Sequence, residues 1–316
     1  MYHLLFSLLS LFSFAAFLDA QWKLRENVYV IESEWNDETQ GKRVELTCDT
    51  PDEVYWKKGT EVKGTGKTLI AEVKEFPDAG NYTCLTTKND EIVTYNFFLI
   101  TKIDSNGQMI RSILKSFKEP NRTFLKCEAK NYSGIFMCSW MTENESPNVK
   151  FTIRSLQGSQ GDISCGTPVA HTGKSVTEYT AQCQKENYCS FAEEHQPIEM
   201  FLEAIDEVEY ENYTTSFFIR DIIKPDPPQC QYVATNGTVT WMYPRTWSTP
   251  KSYFPLTFRV KVESTKKRKI QIEFYDTDEQ SLQIPNTGPK DKIRISVQAR
   301  DRYYSSSWSE WSSFCR

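Results

Sequence analysis

Short segments of alternating β-forming residues follow one another along most of the chain, separated by turn residues about every ten positions. Clear examples are residues 28–31, 97–100, 150–154 and 257–262. This spacing is typical of antiparallel β-sandwiches, in which each strand buries every second side chain. Residues 198–209 could form a helix, but their apolar positions keep a period of two, so we predict a strand there. The pattern therefore predicts an all-β fold.

Two polar stretches divide the 316 residues into parts of the size expected for single domains. The strand pattern stops near Asp104–Gly107, and three prolines within Lys224–Pro228 remove backbone donors and stiffen the chain. The sequence therefore predicts three tandem β-sandwiches, at residues 21–104, 105–224 and 225–316.

The first twenty residues differ in composition from the rest of the chain. An almost unbroken apolar run from Leu4 to Leu18 is short for a membrane span and has the length of a signal-peptide core. We predict a signal peptide at residues 1–20, with an uncleaved anchor as the alternative. No later segment has the roughly 20 consecutive apolar residues that cross a bilayer, so we expect a secreted, extracellular protein.

Composition and motifs argue against catalysis and against nucleic-acid binding. The formal net charge is -5 and only three histidines are present, so we expect neither a basic surface field nor a His-rich metal or catalytic site. Gly64–Thr68 resembles the end of a phosphate-binding loop, but Glu61 stands where that motif needs glycine, and a strand pattern follows. We therefore predict a protein that is not an enzyme and that needs no cofactor or metal.

Nine cysteines behind a signal peptide predict disulfides formed in an oxidising compartment. Cys48 and Cys84 enclose Trp56, and Tyr82 lies two positions before the second cysteine. In immunoglobulin domains the two cysteines join the sheets, the tryptophan packs on the bridge and the tyrosine hydroxyl bonds to the backbone. The sequence therefore predicts an immunoglobulin-like first domain with a Cys48–Cys84 disulfide.

Two further cysteine pairs lie within the second predicted domain. Cys127 and Cys138 have ten residues between them and are expected on neighbouring antiparallel strands, with Trp140 facing inward. Cys165 and Cys183 form a second local pair. The C-x10-C-x-W spacing resembles the amino-terminal signature of the cytokine-receptor homology module, which consists of two fibronectin type III domains.

Residues 308–312 of the last domain read W-S-E-W-S, which resembles the W-S-x-W-S box of the same module. We predict a ladder in which the rings of Trp308 and Trp311 stack between cationic side chains of neighbouring strands. The cations expected in this ladder are Arg294 and Arg300, with Arg259 and Lys261 one strand further. Each cation–π contact contributes about 0.5–2 kcal/mol. The ladder is predicted to stiffen the fold and not to bind a partner.

The predicted mature chain as a whole resembles the beta subunits of the interleukin-12 family of cytokines. The similarity covers almost all of it and is clearest at residues 127–134, 216–228 and 301–311. The resemblance implies a secreted subunit that pairs covalently with a four-helix-bundle alpha chain of the interleukin-12 or interleukin-23 type. It also implies signalling through a cytokine receptor on T and NK cells, and it allows a homodimer. A soluble decoy receptor is the alternative.

Alternating strand directions place three loops near the proline link at Pro225–Pro228. These loops are residues 189–195 of the second domain and residues 243–253 and 300–307 of the third. Aromatic side chains supply contact area at low entropic cost, and carboxylates select a basic partner. We therefore predict a concave site for a helix of the alpha chain at this elbow, with ordinary polar loops as the alternative. The candidate contact residues are Glu193, Glu194, Tyr253, Asp301, Tyr303 and Tyr304.

Three cysteines remain once the local pairs are assigned. Cys189 lies in a loop expected at the elbow, and its counterpart in the family forms the interchain disulfide, so we predict that role here. Cys230 and Cys315 are expected at opposite ends of the third domain, about 25 Å apart for strands of seven or eight residues. We therefore predict no bridge between them. An internal Cys189–Cys230 disulfide is the alternative to the interchain one.

The immunoglobulin-like domain is predicted to contact the receptor, because a third domain is not needed to hold a helical bundle. The residues implicated by the family resemblance are Trp35, Lys74, Glu75 and Phe76.

Two surface features complete the sequence analysis. Six Asn-x-Ser/Thr sequons are candidate glycosylation sites, at Asn81, Asn121, Asn131, Asn144, Asn212 and Asn236. Residues 266–269 are a basic run at a strand connection, which predicts a solvated turn, with binding of sulfated glycosaminoglycan as the sharper alternative.

Overall fold

The computed structural model of the chain describes residues 21–36, 38–118, 122–143, 146–156, 162–191, 193–266, 269–284, 292–303 and 306–316. The predicted signal peptide lies outside these residues. So do the sequons at Asn121 and Asn144, Tyr304 and the middle of the basic run.

The fold is all-β, as the alternating pattern predicted, and it is built from tandem β-sandwiches. Within the described ranges, the helices are two 3-10 turns, Phe76–Asp78 and Ile219–Ile222. No helix in those ranges is long and apolar enough to cross a membrane. The segment for which a helix was the alternative forms a strand, Ile198–Asp206.

The chain forms two compact units. Of the described residues, the first unit comprises those from Gln21 to Ile110 together with Glu207–Tyr210, and the second comprises those within Arg111–Asp206 and Glu211–Arg316. The first eight strands are β1 (Gln21–Arg25), β2 (Val28–Glu34), β3 (Lys42–Thr47), β4 (Val54–Lys58), β5 (Glu61–Thr65), β6 (Thr68–Val73), β7 (Gly80–Thr86) and β8 (Ile92–Ile103).

The remaining strands follow in two groups. The first group is β9 (Leu114–Lys115), β10 (Lys126–Glu128), β11 (Ile135–Thr142), β12 (Lys150–Ser155), β13 (Ile163–Cys165), β14 (Val169–Thr172), β15 (Thr177–Lys185), β16 (Ile198–Asp206) and β17 (Glu209–Phe217). The second group is β18 (Gln229–Val233), β19 (Thr238–Met242), β20 (Leu256–Lys266), β21 (Lys269–Thr277), β22 (Ser281–Gln283) and β23 (Lys292–Asp301).

The first unit has the layers of an immunoglobulin-like sandwich. Its larger sheet has the order β1-β2-β8-β7-β4-β5, and a second sheet pairs β3 with β6. Trp56 on β4 and Cys84 on β7 are completely buried. The disulfide between Cys48 and Cys84 joins the end of β3 to β7, so it links the two sheets as this fold requires.

A tyrosine corner closes the turn before β7. The hydroxyl of Tyr82 donates a 2.8 Å hydrogen bond to the carbonyl oxygen of Asp78. Burial raises the pKa of Tyr82 to about 12. The hydroxyl therefore keeps its proton, and this hydrogen bond, well above physiological pH.

The second unit begins with a sandwich that carries two cross-strand disulfides. One of its sheets has the order β10-β11-β15-β13, and the other has the order β12-β16-β17. Cys127 lies directly opposite Cys138 and is bonded to it, and Cys165 has the same relation to Cys183. Trp140 on β11 is completely buried, in line with its predicted inward orientation.

The second unit continues with a further sandwich. One sheet has the order β18-β19-β22 and the other has the order β21-β20-β23. Buried side chains of both sandwiches of this unit, among them Trp140 and Trp241, belong to one continuous core. The two sandwiches of the second unit are therefore packed against each other.

The prediction that Cys230 and Cys315 do not bridge is wrong, because they form a disulfide with their Cα atoms 4.9 Å apart. β18 has only five residues, so Cys230 lies about 10 Å from its end. The C-terminal segment runs back beside this short strand, and the carbonyl oxygen of Arg316 accepts a hydrogen bond from the Tyr232 amide. The estimate of 25 Å assumed two full-length strands, and the short first strand removes that separation. This bridge also excludes the alternative Cys189–Cys230 pairing.

We expect a non-reducing digest of the monomer to contain a Cys230–Cys315 peptide and a free Cys189 thiol. Replacing Cys230 and Cys315 together by serine should lower the free energy of unfolding by about 2–4 kcal/mol, because the disulfide restricts the unfolded chain. The matched control replaces Cys165 and Cys183, whose shorter loop predicts a smaller loss in denaturant unfolding. A digest in which Cys230 pairs with Cys189 would contradict the assignment.

Candidate functional site

The loops predicted at the elbow line a cavity of about 500 Å³ in the second unit. The loop 188–195 of the first sandwich of that unit and residues 253–254 of the second sandwich form most of its lining. The lining residues are Tyr132, Tyr188, Ser190, Phe191, Glu193, Glu194, His195, Arg220, Tyr253 and Phe254. The loop 189–195 and Tyr253 therefore come together, as the alternating strand directions predicted.

Aromatic rings form the wall of this cavity. The ring centroid of Phe191 lies 4.9 Å from that of Tyr253 and 5.7 Å from that of Phe254. Phe254 in turn stacks on Tyr132, with the centroids 4.3 Å apart. Phe191 and Tyr253 each expose more than half of their surface. This combination of fixed orientation and exposure is typical of residues that dominate binding energy at interfaces.

The two neighbouring glutamates of the loop differ in their surroundings. Glu193 has an 88% exposed side chain, with His195 3.9 Å away. The carboxylate of Glu194 instead accepts hydrogen bonds from the amides of Ile219 and Arg220, at 2.8 and 3.3 Å, and is largely buried. Glu194 therefore holds the start of a 3-10 turn, and Glu193 presents its charge to solvent.

Asp301 does not lie on the surface of the cavity, which corrects its assignment as an exposed contact residue. It is 1% exposed. Its carboxylate accepts a 3.0 Å hydrogen bond from the Tyr132 hydroxyl and a 2.8 Å bond from the Tyr303 amide. Asp301 thus holds Tyr132, which is part of the aromatic wall, in position from inside the fold. Tyr303, by contrast, is 66% exposed.

Cys189 lies at the edge of the cavity, between the lining residues Tyr188 and Ser190. It is exposed and is the free cysteine of the chain. The Ser190 hydroxyl donates to the carbonyl oxygen of Tyr132, which ties this part of the loop to the elbow. The exposed thiol therefore belongs to the same loop as the cavity lining.

Polar contacts beside the proline link connect the two sandwiches of the second unit, and we call this set of contacts the clasp. Asp226 in the link pairs with Lys130 at 3.2 Å and accepts a 2.9 Å hydrogen bond from the Thr246 hydroxyl. The Asn131 side-chain amide donates to the Thr246 carbonyl at 2.6 Å and to the Ser248 hydroxyl at 3.1 Å. Polar contacts from both sandwiches therefore stabilise the elbow.

The tryptophan ladder is present with one change of partner. Arg259 and Arg300 flank the Trp308 ring, at 4.5 and 4.7 Å from its centroid. Lys261 lies 5.0 Å from the Trp311 ring. Arg294, which was predicted to flank a tryptophan, lies 5.3 Å from Phe314 instead. Arg294 is six residues from Arg300 along β23. It therefore lies too far along the strand to face Trp311, which is only three residues from Trp308.

Serines at every third position join this segment to β23. The hydroxyls of Ser306, Ser309 and Ser312 accept hydrogen bonds from the amides of alternate β23 residues, at 2.9–3.0 Å. The amides of Ser309 and Ser312 donate back to β23 carbonyls. Three residues of the segment thus match two residues of the strand, which keeps Trp308 and Trp311 on one face.

The four residues predicted to contact the receptor lie close together in the first unit. The ring centroids of Trp35 and Phe76 are 5.7 Å apart, and the Lys102 ammonium lies 4.9 and 4.3 Å from the two rings. The backbone amides of Lys74 and Glu75 donate to the Asp78 carboxylate, which orders this turn. The result is an ordered aromatic patch in which Trp35 is 46% exposed.

Comparison with known proteins places the chain in a family. The family model for the C-terminus of the cytokine interleukin-12p40 matches residues 122–206. Interleukin-12 subunit beta of Ovis aries is 45% identical, covering 98% of this chain and 97% of that protein. Interleukin-12 subunit beta of Homo sapiens is 44% identical with the same coverage, and that of Felis catus is 45% identical over 96% of each chain. The chain belongs to the interleukin-12 beta subunit family. It is therefore related to cytokine subunits over nearly its whole length.

Sequence reasoning missed residues that act through contacts distant in the sequence. Tyr132 and Phe254 were not selected, although they are 122 positions apart and stack at the centre of the elbow. Lys102 was also missed, because only the parallel pairing of β2 with β8 brings it beside Trp35. No local motif marks these three residues.

The described sequons differ in exposure. Asn81 and Asn236 are exposed, and Asn212 is half-buried. Asn131 is half-buried and uses its side-chain amide in the clasp. Within the described residues, no cluster of three or more His, Cys, Asp or Glu could hold a metal ion.

We expect Asn131 to carry less glycan than Asn81 or Asn236 in the secreted protein. A glycan would replace one of the two amide hydrogens that bond to Thr246 and Ser248, and its bulk would separate the sandwiches there. Site-resolved glycopeptide mass spectrometry measures the occupancy, with Asn81 and Asn236 as internal controls. Full occupancy at Asn131 in folded protein would show that the clasp is not needed.

Proposed function

We propose that this chain is a secreted cytokine subunit that binds a helical alpha chain of the interleukin-12 or interleukin-23 type at the elbow. The observation that supports this most is the exposed aromatic wall beside a free cysteine and an exposed carboxylate. Aromatic anchors supply binding energy, and Glu193 favours a basic face on the partner. The role is one of binding and signalling, without catalysis.

Cys189 would link the alpha chain covalently after docking. The cavity brings the partner to the thiol, and the disulfide then makes rebinding intramolecular. Noncovalent contacts select the partner, and the covalent bond preserves the pair on dilution. A free cysteine at the cavity also favours this function over a soluble decoy receptor that acts alone.

Replacing Cys189 by serine should remove the disulfide-linked heterodimer without abolishing pairing. The chain is co-expressed with an alpha chain and the product is examined on non-reducing gels and by pull-down from dilute medium. The covalent band should disappear, and the pulled-down fraction should fall most at low concentration. The Cys230→Ser/Cys315→Ser variant is the matched control and should keep the band. A covalent band that persists without Cys189 would move the tether to another cysteine.

Within the Cys189→Ser background, Tyr253→Ala tests the elbow itself. Loss of an anchor that is central to an interface typically costs about 2 kcal/mol, so the affinity should fall roughly 30-fold. Tyr95→Ala, at an exposed tyrosine of β8, is the control. Equal affinities for the two variants would contradict docking at the elbow.

The aromatic patch of Trp35, Phe76 and Lys102 would contact a cytokine receptor. Lys102 also pairs with Glu209, at 3.0 Å. The ammonium and the two rings form a preorganised surface that a receptor can bind without first ordering the side chains. Receptor contact and alpha-chain pairing would then use different surfaces of the chain.

We expect Trp35→Ala to reduce receptor binding at least tenfold, because the substitution removes the exposed ring from the patch. Alpha-chain pairing should be unchanged, because it would use a different surface. Surface plasmon resonance with a receptor ectodomain and pull-down of the alpha chain measure the two effects. Ile92→Ala is a control, since Ile92 is also strongly exposed in the first unit. Unchanged receptor affinity in the Trp35 variant would place the receptor surface elsewhere.

A further inference from the structure

The sequon Asn81-Tyr82-Thr83 lies on strand β7, inside the larger sheet of the first unit. Tyr82 is buried in the core, and its hydroxyl donates to the Asp78 carbonyl oxygen. Side chains alternate between the two faces of a strand, so Asn81 and Thr83 both point to the outer face. Asn81 is exposed there. The acceptor amide of this sequon therefore stands on a paired strand, with its direction set by the core.

Aromatic side chains lie directly opposite both polar residues of the sequon. In the register of β7 with β8, Phe97 lies opposite Asn81. Tyr95 lies opposite Thr83, two positions along. The Phe97 amide donates to the Asn27 carbonyl oxygen, on the side of β8 that faces β2. The N–H and C=O groups of one residue point to the same side of a strand, so Phe97 and Asn81 form a pair without mutual hydrogen bonds. Their Cα atoms are then about 4.5 Å apart, the arrangement that brings opposite side chains closest.

These two rings belong to an apolar area on the outer face of the sheet. Tyr95 exposes 42% of its surface, and Phe97 is half-buried. In the row of Thr83, Lys57 follows on β4, and Val62 follows on β5 with 54% of its surface exposed. Exposed apolar side chains that share one face often mark a surface that is covered in the working protein. A glycan on Asn81 would begin beside the aromatic part of this area, about 10 Å across the sheet from β5.

We propose that Asn81 carries an N-glycan whose first N-acetylglucosamine packs on the rings of Phe97 and Tyr95 and stabilises the β7–β8 pair. The donor is a lipid-linked oligosaccharyl diphosphate of the secretory pathway. The bond from C1 of its first sugar to the diphosphate oxygen breaks, C1 bonds to Asn81 Nδ2, and that nitrogen loses one proton. The proposal rests on the secretion proposed above, but not on docking at the elbow.

The chemistry of the sugar fits this surface. The pyranose ring of N-acetylglucosamine has polar groups around its rim and C–H groups on its faces. The face of an aromatic ring is electron-rich and attracts such C–H groups. The polar rim stays in water, so the sugar covers the rings without burying its own polar groups. The Asn81 side chain already holds the sugar beside Phe97, so packing orders few additional groups.

Occupancy of Asn81 is the first test. In the full secreted chain, expressed with high-mannose glycans, site-resolved glycopeptide mass spectrometry should find Asn81 occupied. An endoglycosidase then trims each glycan to one N-acetylglucosamine, which should be enough for the effect on stability. An unoccupied Asn81 in folded secreted protein overturns the proposal, without bearing on the elbow.

Hydrogen exchange of the trimmed, full-length protein tests the packing. Asn81→Gln removes the glycan and should speed exchange of the β4 peptide about fivefold, because loss of the contact makes opening of the first unit more frequent. The β4 strand carries none of the substitutions. In a Phe97→Leu chain, the same Asn81→Gln change should alter exchange by less than about twofold. In a Val62→Ala chain, the matched control, it should keep its full effect.

Tyr95→Ala keeps the test decisive if Phe97→Leu does not fold, since the Tyr95 ring is exposed. It should reduce the effect of the glycan to about twofold. A reduced effect in an aromatic variant, with the full effect in the Val62 variant, supports the proposal, and any other outcome overturns it. If a receptor covers this face instead, Asn81→Gln raises and Tyr95→Ala lowers the affinity for a receptor ectodomain, which also overturns it.

Discussion

The contact between Tyr132 and the last sandwich fixes the geometry of the elbow. Its ring stacks on Phe254 at 4.3 Å, and its hydroxyl donates to the buried carboxylate of Asp301. Burying a carboxylate costs several kcal/mol unless donors surround it. The Tyr132 hydroxyl supplies one of those donors when the two sandwiches of the second unit pack together. Stacking and hydrogen bonding therefore stabilise the same orientation of the two sandwiches. The proline link brings the sandwiches together, and this contact sets the angle at which the cavity forms.

A second constraint comes from the C-terminal segment, whose period differs from that of the strand beside it. Side chains of β23 alternate every two residues, whereas the segment repeats its serine contacts every three. The serine hydroxyls accept from strand amides, so both partners satisfy their polar groups although the periods differ. Rings at every third position then share one face and meet cations of β20 and β23. The same segment ends beside β18, where Cys315 reaches Cys230.

Features that depend on local spacing could be predicted from the sequence. The Cys127–Cys138 bridge is a neighbouring-strand contact, and the Tyr82 corner lies within four residues of its acceptor. Features that depend on the length of a strand could not. The Cys230–Cys315 bridge exists because β18 has five residues, and turn residues after Val233 do not fix that length in advance. The burial of Asp301 was likewise hidden, because a carboxylate in a polar loop is usually exposed.

Glu193 and Glu194 are neighbours in the elbow loop but have different surroundings. Glu194 satisfies backbone amides at the start of the 3-10 turn Ile219–Ile222, so its charge is used within the fold. Glu193 exposes its charge beside the aromatic wall. In the proposed pairing, a partner would fit the rings and place a positive group near Glu193 before it reached Cys189. Because an exposed thiol alone has little selectivity, the specificity of the proposed pairing would come from this noncovalent surface, and the disulfide would only preserve a pair that had already formed.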